Sequence, residues 1–318
     1  MQSAAKTVVI LGTGGTIAGT SASAADNVGY RAAQLSVDDL LQAVPALAGV
    51  PLQTEQVAQI DSKDMGPAIW QRLAQRVAAH LVRVDVAGIV ITHGTDTLEE
   101  TAYFLHRVLQ PNKPVVLTAA MRPATSLQAD GPQNLLDAVT VARHPEACGV
   151  LVAMAGHVFA ADGLRKADSY ALDAFVGSEW ARVEEGALRL LQPWPGRAAN
   201  EPALGLQLIN TPVADWPRVA WITSHAGFDA GLVEAVVAAG FHGLVVAATG
   251  NGTLHTHLLQ ALQRAQDSGV WLRRCTRCAN GRLVGDNTSP VRASAAVGAA
   301  QARVSLLLEL LVSRQCAA

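Results

Sequence analysis

Residues 88–104 read Gly88-Ile89-Val90-Ile91-Thr92-His93-Gly94-Thr95-Asp96-Thr97-Leu98-Glu99-Glu100-Thr101-Ala102-Tyr103-Phe104. Ile89, Val90 and Ile91 form a short β-branched apolar run, the pattern of a strand buried on both faces. The run gives way to the polar residues Thr92 to Thr97. Leu98, Thr101, Ala102 and Leu105 then recur at helical spacing, with Glu99 and Glu100 in the first turn, where the helix dipole favours acids. The segment predicts strand, polar loop and helix. It sets hydroxyls and a carboxylate at the carboxyl end of a buried strand, where open α/β sheets bind ligands. Helix capping by Asp96 or Thr97 accounts for one polar residue, but not for the whole run.

The same unit recurs on either side. Thr7 to Leu11 is an apolar strand followed by Gly12-Thr13-Gly14-Gly15-Thr16-Ile17-Ala18-Gly19. A dinucleotide fingerprint needs a third glycine where Ile17 stands, and a P-loop needs a Gly-Lys-Ser/Thr that is absent, so both nucleotide readings fail. Two readings remain open for this stretch alone. One is a tight turn that brings backbone N–H groups and the Thr16 hydroxyl to a ligand; the other is a glycine turn with a buried threonine. Residues 20–34 are small and polar around Tyr30, a loop length that is usually functional or disordered. A lid that delivers Tyr30 to a site fits that composition.

Ser36 caps a helix through Leu40, Leu41 and Val44. A strand over 54–60 ends in Asp61-Ser62-Lys63-Asp64, and a helix over 67–82 follows with Ile69, Leu73, Val77 and Leu81 on one face. Pro114 to Thr118 is a further buried strand that runs into Ala119-Ala120-Met121-Arg122. Residues 135–141 read as helix and 149–154 as strand, while 157–170 is largely polar and carries Arg165 and Lys166. Strands alternating with helices in this way predict right-handed βαβ units and a parallel sheet.

The chain has 318 residues, above the usual ~150-residue domain prior. Half of them are apolar while 16% are charged, which predicts a well-buried globular protein. Five prolines from Pro193 to Pro217, with Gly196 among them, mark a boundary. The expected division is a larger α/β domain over 1–195, a linker over 196–216 and a smaller α/β domain over 217–318. In the last, strands over 219–223, 244–248 and 270–272 alternate with helices over 232–239 and 254–266, and a helix over 296–312 closes the chain. Each domain is expected to carry a mainly parallel sheet flanked by helices.

A formal charge of -2 without a Lys/Arg cluster gives no nucleic-acid footprint. No apolar run reaches the ~18 residues of a membrane span, and residues 1–6 lack a signal-peptide layout. Cytoplasmic residence is therefore expected. The four cysteines do not form a disulfide framework. Cys275-Thr276-Arg277-Cys278 is a lone CxxC with no second pair at finger spacing. No metal and no other cofactor is expected.

Thr16, Ser62, Thr95, Asp96 and Ala120 each follow a strand of one predicted sheet, and parallel strands set all of those ends on one edge. Four loops thus converge on one cleft, with Lys166 on a fifth segment. Hydroxyls, a carboxylate and a lysine meeting there suggest nucleophilic catalysis. No Gly-x-Ser-x-Gly elbow is present.

Thr13-Gly14-Gly15-Thr16-Ile17-Ala18 and His93-Gly94-Thr95-Asp96-Thr97 together resemble the two signatures of bacterial-type L-asparaginases, and the resemblance spans nearly the whole chain. It implies an amidohydrolase that converts L-asparagine to L-aspartate and ammonia, with a glutaminase-asparaginase of broader range or a catalytically poor amino-acid-binding relative as alternatives. It implies Thr16 as the nucleophile that forms an acyl-enzyme, Tyr30 beside it, and a second triad of Thr95, Lys166 and Asp96. Ser62 and Lys63 match the positions that hold the substrate's α-carboxylate, Asp96 its α-amino group, and the Ala120 carbonyl its side-chain amide. It further implies a homotetramer of tight dimers in which the neighbour's smaller domain completes each site. A threonine hydroxyl is a weak nucleophile that needs a base. Burial disfavours a lysine's charged form, so Lys166 near Thr95 can take up a proton and pass it on through water, and glycine-loop N–H groups can stabilise an oxyanion.

Three positions depart from the family pattern. Lys63 stands where Gln or Glu is usual, and Thr253 replaces an Asn that lines the neighbour's site. The short 281–298 stretch holds Asp286 as its one acid, where relatives carry a glutamate that reaches the neighbour's substrate amino group.

Overall fold

The computed structural model describes residues 6–194, 202–285 and 289–317. The chain divides by its contacts into two units that meet between Leu206 and Gln207. The linker expected over 196–216 contains that point, and its residues 196–201 lie outside the described residues.

The first unit runs, in chain order, through β1 (Thr7–Gly14), α1 (Val37–Gln42), β2 (Leu52–Ile60), α2 (Pro67–Leu81), β3 (Val86–Thr92), α3 (Leu98–Leu109), β4 (Pro114–Thr118), α4 (Gly131–Arg143), β5 (Gly149–Met154), β6 (His157–Ala160), β7 (Arg165–Lys166), β8 (Phe175–Val176), β9 (Glu179–Glu184) and β10 (Ala187–Leu190). Eight strands form one sheet in the order β10-β9-β6-β5-β4-β3-β1-β2. The five from β5 to β2 pair in parallel, in registers such as Ile10 with Val90 and Val90 with Val116. Every residue of β4, and every residue of β1 after Thr7, is buried. That is the signature of a parallel sheet covered on both faces. Val8, Ile10, Val90 and Val116 pack under α1 and α4. On the opposite face α2 and α3 pack together through the stacked rings of Trp70 and Phe104, 5.0 Å apart.

The sheet does not stop where the parallel pattern ends. β6, β9 and β10 extend it antiparallel, and β6 opens the 157–170 stretch that reads as merely polar in the sequence. The physical reason lies in two turns. Ala155 and Gly156 join β5 to β6, and Glu185 and Gly186 join β9 to β10, all four with positive φ. Two consecutive left-handed residues make the type I′ turn whose twist suits a tight hairpin. Ala and Glu stand at the first position in place of the usual Asn or Asp, which hides the turns. A second difference is α4, which begins at Gly131 rather than Leu135. Pro132 lies in its first turn, where its missing N–H breaks no helical bond.

Ser36 caps α1 through a capping box with Asp39. Neither Asp96 nor Thr97 caps α3, because Thr97 occupies the N-cap position without a side-chain bond to the helix. The capping reading therefore fails, and the polar run is free for other partners.

α5 (Leu206–Ile209) spans the boundary, and the second unit continues through β11 (Val219–Thr223), α6 (Gly231–Ala238), β12 (Gly243–Ala248), α7 (Thr256–Asp267), β13 (Trp271–Thr276) and α8 (Ala299–Ala317). Its sheet, ordered β11-β12-β13, is parallel throughout. Leu244 and Val246 face α6 and α7, while Val245 and Ala247 face Leu306 and Leu310 of α8. β13 runs four residues beyond the apolar stretch that announces it, because Arg273 and Arg274 are buried strand residues. Both units are thus α/β layers, the larger one first.

Candidate active site

β1, β2, β3 and β4 are neighbours in one parallel sheet, so the loops after them leave from the same edge. Glycines let these loops touch backbone to backbone. A Cβ on Gly15 would lie 2.4 Å from the Cα of Gly94, and one on Gly94 would lie 2.5 Å from Ser62 Oγ. Gly14 and Gly15 also have φ of 100° and 82°, conformations that glycine alone adopts readily. The β1, β2 and β3 loops are therefore locked at the spacing of bare backbones. Thr13 ties β1 to β3 as well, its hydroxyl donating to the Thr92 carbonyl at 2.8 Å.

Thr16 follows Gly15 in a single 3₁₀ turn (Thr16–Ala18) and is buried. Its hydroxyl lies 2.7 Å from the Tyr30 hydroxyl, so the two share one hydrogen bond. Tyr30 comes from the 20–34 segment, which folds back through a bridge between Thr20 and Arg31. The segment is clasped to the loop after β4. Ser21 N–H donates to Thr125 Oγ1 at 2.8 Å, Ser126 Oγ donates to Asn27 Oδ1 at 2.6 Å, and Leu127 N–H donates to the Ala24 carbonyl at 3.0 Å.

Ser62 begins a 3₁₀ turn (Ser62–Asp64) after β2 and is 3% exposed. Its hydroxyl accepts from the Asp96 backbone N–H at 3.2 Å, and its carbonyl accepts from the Thr97 hydroxyl at 2.8 Å. Lys63 points elsewhere: its ammonium pairs with Asp61 at 2.6 Å, and its side chain is 65% exposed.

Lys166, on β7, joins the β3 loop from a distant part of the chain. Its ammonium donates to Thr95 Oγ1 at 2.9 Å and to Asp96 Oδ1 at 2.7 Å. Thr95 is buried, whereas the Asp96 side chain is 55% exposed and so keeps a face for a ligand. Thr16 with Tyr30, and Ser62 with Thr95, Asp96 and Lys166, are thus two hydrogen-bonded groups joined through the Gly15–Gly94 contact. Ala120 is fully buried in the loop after β4. That loop is fixed by Asp130, which accepts from the Met121 and Arg122 N–H groups, and by Asn134, whose amide donates to the Ala119 carbonyl at 2.9 Å.

Two titratable groups behind the loops are strongly perturbed. His93 is fully buried, and burial pushes it down to about 4, so the ring is neutral; Nδ1 lies 2.7 Å from the Gly94 carbonyl. Burial pushes the Glu99 carboxyl up to about 7, opposed by the Lys166 N–H that donates to it at 2.5 Å. Glu99 stands out only in the fold. In the sequence it is indistinguishable from Glu100, and both read as ordinary first-turn acids.

In the second unit the Thr249 and Thr253 hydroxyls lie 2.8 Å apart and close their own loop, and Asn251 exchanges two hydrogen bonds with the Val284 backbone. Asp286 lies outside the described residues. Cys275 is buried with its thiol on the Val246 carbonyl, and burial pushes it up to about 11, while Cys278 is exposed. Among the described residues no group of three His, Cys, Asp or Glu could hold a metal ion. No described helix is long and apolar enough to cross a membrane.

The chain is similar to known proteins over most of its length. Residues 7–193 match the family described as "Asparaginase, N-terminal", and residues 218–312 match "Glutaminase/Asparaginase C-terminal domain". The chain is 37% identical over 316 residues to the "Probable L-asparaginase periplasmic" of Haemophilus influenzae, covering 95% of this chain and 88% of that protein. It is 36% identical over 283 residues to the "Glutaminase-asparaginase" of Pseudomonas fluorescens biotype A, covering 87% and 77%. The crystal structure of the "Probable Cytoplasmic L-asparaginase" of Campylobacter jejuni superposes with a TM-score of 0.88 at 34% identity, covering 96% of this chain and 95% of that one. With both domain signatures matched in order along one chain, the protein belongs to the bacterial-type L-asparaginase family of amidohydrolases.

Proposed function

We propose that the chain hydrolyses L-asparagine to L-aspartate and ammonia through an acyl-enzyme on Thr16. The observation that carries this reading is the Lys166 ammonium held between Thr95 Oγ1 and Asp96 Oδ1. It joins a proton-transfer pair to a carboxylate with an exposed face. In the first step Thr16 Oγ bonds to the side-chain carbonyl carbon and the C–N bond breaks. The hydroxyl proton passes by way of Tyr30 to the leaving nitrogen, which departs as ammonia. In the second step Lys166, as the free amine, takes the Thr95 hydroxyl proton while Thr95 takes one from a water, whose oxygen bonds to the same carbon. The ester C–O bond breaks, and a proton returns to Thr16. Glycine-loop N–H groups stabilise the oxyanion of each step.

Asp96 receives the substrate's α-amino group, Ser62 and the N–H side of its turn receive the α-carboxylate, and the Ala120 carbonyl accepts from the side-chain amide. The Lys63 ammonium reaches the α-carboxylate by exchanging Asp61 for it. No cofactor takes part. The working form is a homotetramer of tight dimers, with residues 196–216 linking the two domains. The cytoplasm is its compartment, a reading supported by the C. jejuni protein, which is named cytoplasmic. The H. influenzae relative is named periplasmic, so fractionation of the source cells decides the compartment.

A second reading, glutaminase-asparaginase, is favoured by the name of the P. fluorescens relative. Ammonia release measured with asparagine, with glutamine and with buffer alone tests both. Release from asparagine well above glutamine supports the first reading, comparable release supports the second, and release from neither sinks both.

A further inference from the structure

Lys166 cannot reach Thr95 and Asp96 by its own side chain alone, because its strand must first be brought to the edge of the β3 loop. β7 is only two residues long, pairs with the two-residue β8, and belongs to neither large sheet. A two-stranded fragment of this size is not independently stable. Besides the two bonds of the Lys166 ammonium, a backbone bond bridges it to the segment that carries their acceptors: the Lys166 N–H donates to Glu99 Oε2 at 2.5 Å. Glu99 is in the first turn of α3, three residues past Asp96 and four past Thr95. The loop that presents the two partners of the Lys166 ammonium therefore also supplies the acceptor for the Lys166 backbone.

We infer that Glu99 is a positioning residue for Lys166, fixing the lysine's backbone against the same loop whose Thr95 and Asp96 receive its ammonium. The inference rests on the proposed catalytic role of Lys166. A carboxyl at this place is otherwise ill suited to its surroundings, being largely buried with Glu100 near it and no cation paired to it by a side-chain hydrogen bond among the described residues. The acceptor geometry, rather than a full charge, is what the contact uses. A neutral acid and an amide offer the same carbonyl oxygen to an N–H donor. Displacing a catalytic group by about 1 Å costs on the order of 10²-fold in rate, so loss of this one bond is felt at the chemistry. The Asp96 backbone keeps its own anchor through the Ser62 hydroxyl, so the loop that carries the substrate-binding carboxylate stays in place and KM is the less affected parameter.

The test compares Glu99→Ala and Glu99→Gln with the parent in the full-length protein. It reads kcat and KM for asparagine, thermal melting, and hydrogen exchange at the Lys166 amide. The alanine variant is expected to lose about 10- to 100-fold in kcat with KM changed less than about threefold. Its Lys166 amide should exchange fast, while the glutamine variant restores both kcat and protection. Parental kcat in the alanine variant overturns the inference. So does equal loss in both variants together with lowered melting, which marks a purely structural role. Should the parent itself release no ammonia, the functional reading falls. Exchange then decides the positioning: fast exchange at Lys166 in the alanine variant alone upholds it, and unchanged exchange overturns it.

Discussion

Gly15 rests on Gly94 so closely that a Cβ on the first would come within 2.4 Å of the Cα of the second. Each glycine belongs to one of the two sequence signatures, so this contact is where the signatures become one site. Neither neighbour is the movable end of a side chain, and the clash can be relieved only by separating the β1 and β3 loops. Gly15→Ala also meets a φ of 82°. It should cost about 3 kcal/mol or more from overpacking and left-handed strain, with activity reduced further than stability. Melting and ammonia release by the purified variant check this; an alanine tolerated without loss of either would show that the loops have room to spare.

Catalysis is expected to need both threonines and the lysine. Thr16→Ala, Thr95→Val and Lys166→Met should each lower kcat by the ~10²–10⁴-fold of losing a positioned proton-transfer group. All three should keep the parental circular dichroism spectrum. Near-parental turnover in any of them reassigns the roles.

The pH dependence of stability has two arms with opposite signs. His93 is held near 4 instead of 6.5 by burial, so between those values the unfolded chain binds a proton that the folded one does not. Stability is therefore lost as pH falls through that window. Glu99 is held near 7 instead of 4.5, so the folded chain binds the extra proton, and stability is lost as pH rises from 4.5 through 7. Each arm is worth about 3 kcal/mol at full extent. Glu99→Gln should therefore be more stable than the parent at about pH 8 and equal to it near pH 4.5. Denaturant titrations at the two values measure this, and an unchanged difference between them would remove Glu99 from the account.

Activity should be indifferent to chelator and to the double replacement Cys275→Ser with Cys278→Ser. The Cys275 thiol is buried and pushed up to about 11, which leaves it neither a thiolate nucleophile nor a ready metal ligand. Stoichiometric zinc in the purified protein, lost together with activity on chelation, would contradict this.

On the proposed reading Asp96 supplies one carboxylate to the substrate's α-amino group, where the family resemblance implies a second from a neighbouring subunit. Loss of one charge-assisted hydrogen bond costs ~1.5–3 kcal/mol, or roughly ten- to a hundred-fold in affinity. A KM for asparagine in the millimolar direction is expected, with asparagine preferred over glutamine. If Asp286 restores the missing charge, Asp286→Ala should raise KM sharply. A micromolar KM that survives the substitution would show that neither carboxylate is needed.

Much of this site is legible in the sequence because buried parallel strands announce themselves as β-branched runs. Ile89 to Ile91 and Pro114 to Thr118 locate the strand ends, and the strand ends locate Thr95, Asp96 and Ala120. The same rule explains what stays hidden. β6 and β9 are short, edge-ward and at most half buried, and the turns that form their hairpins use Ala155 and Glu185 where no propensity would place them. Glu99 is hidden for a different reason. Its partner is a backbone N–H 67 residues away, and no local side-chain pattern encodes a bond to a main-chain donor so far along the chain.

The clasp between the Tyr30 segment and the loop after β4 makes two motions inseparable. Swinging the segment away must break the contacts of Ser21 with Thr125, Asn27 with Ser126 and Ala24 with Leu127. These are also restraints on the run of chain that continues from Ala120. On the proposed reading, opening the Tyr30 segment would thus loosen the floor as well, and a product would be gripped least at the moment its exit is clear. Closed, it would stiffen the wall against which the amide is read, so that one set of hydrogen bonds would time both admission and recognition.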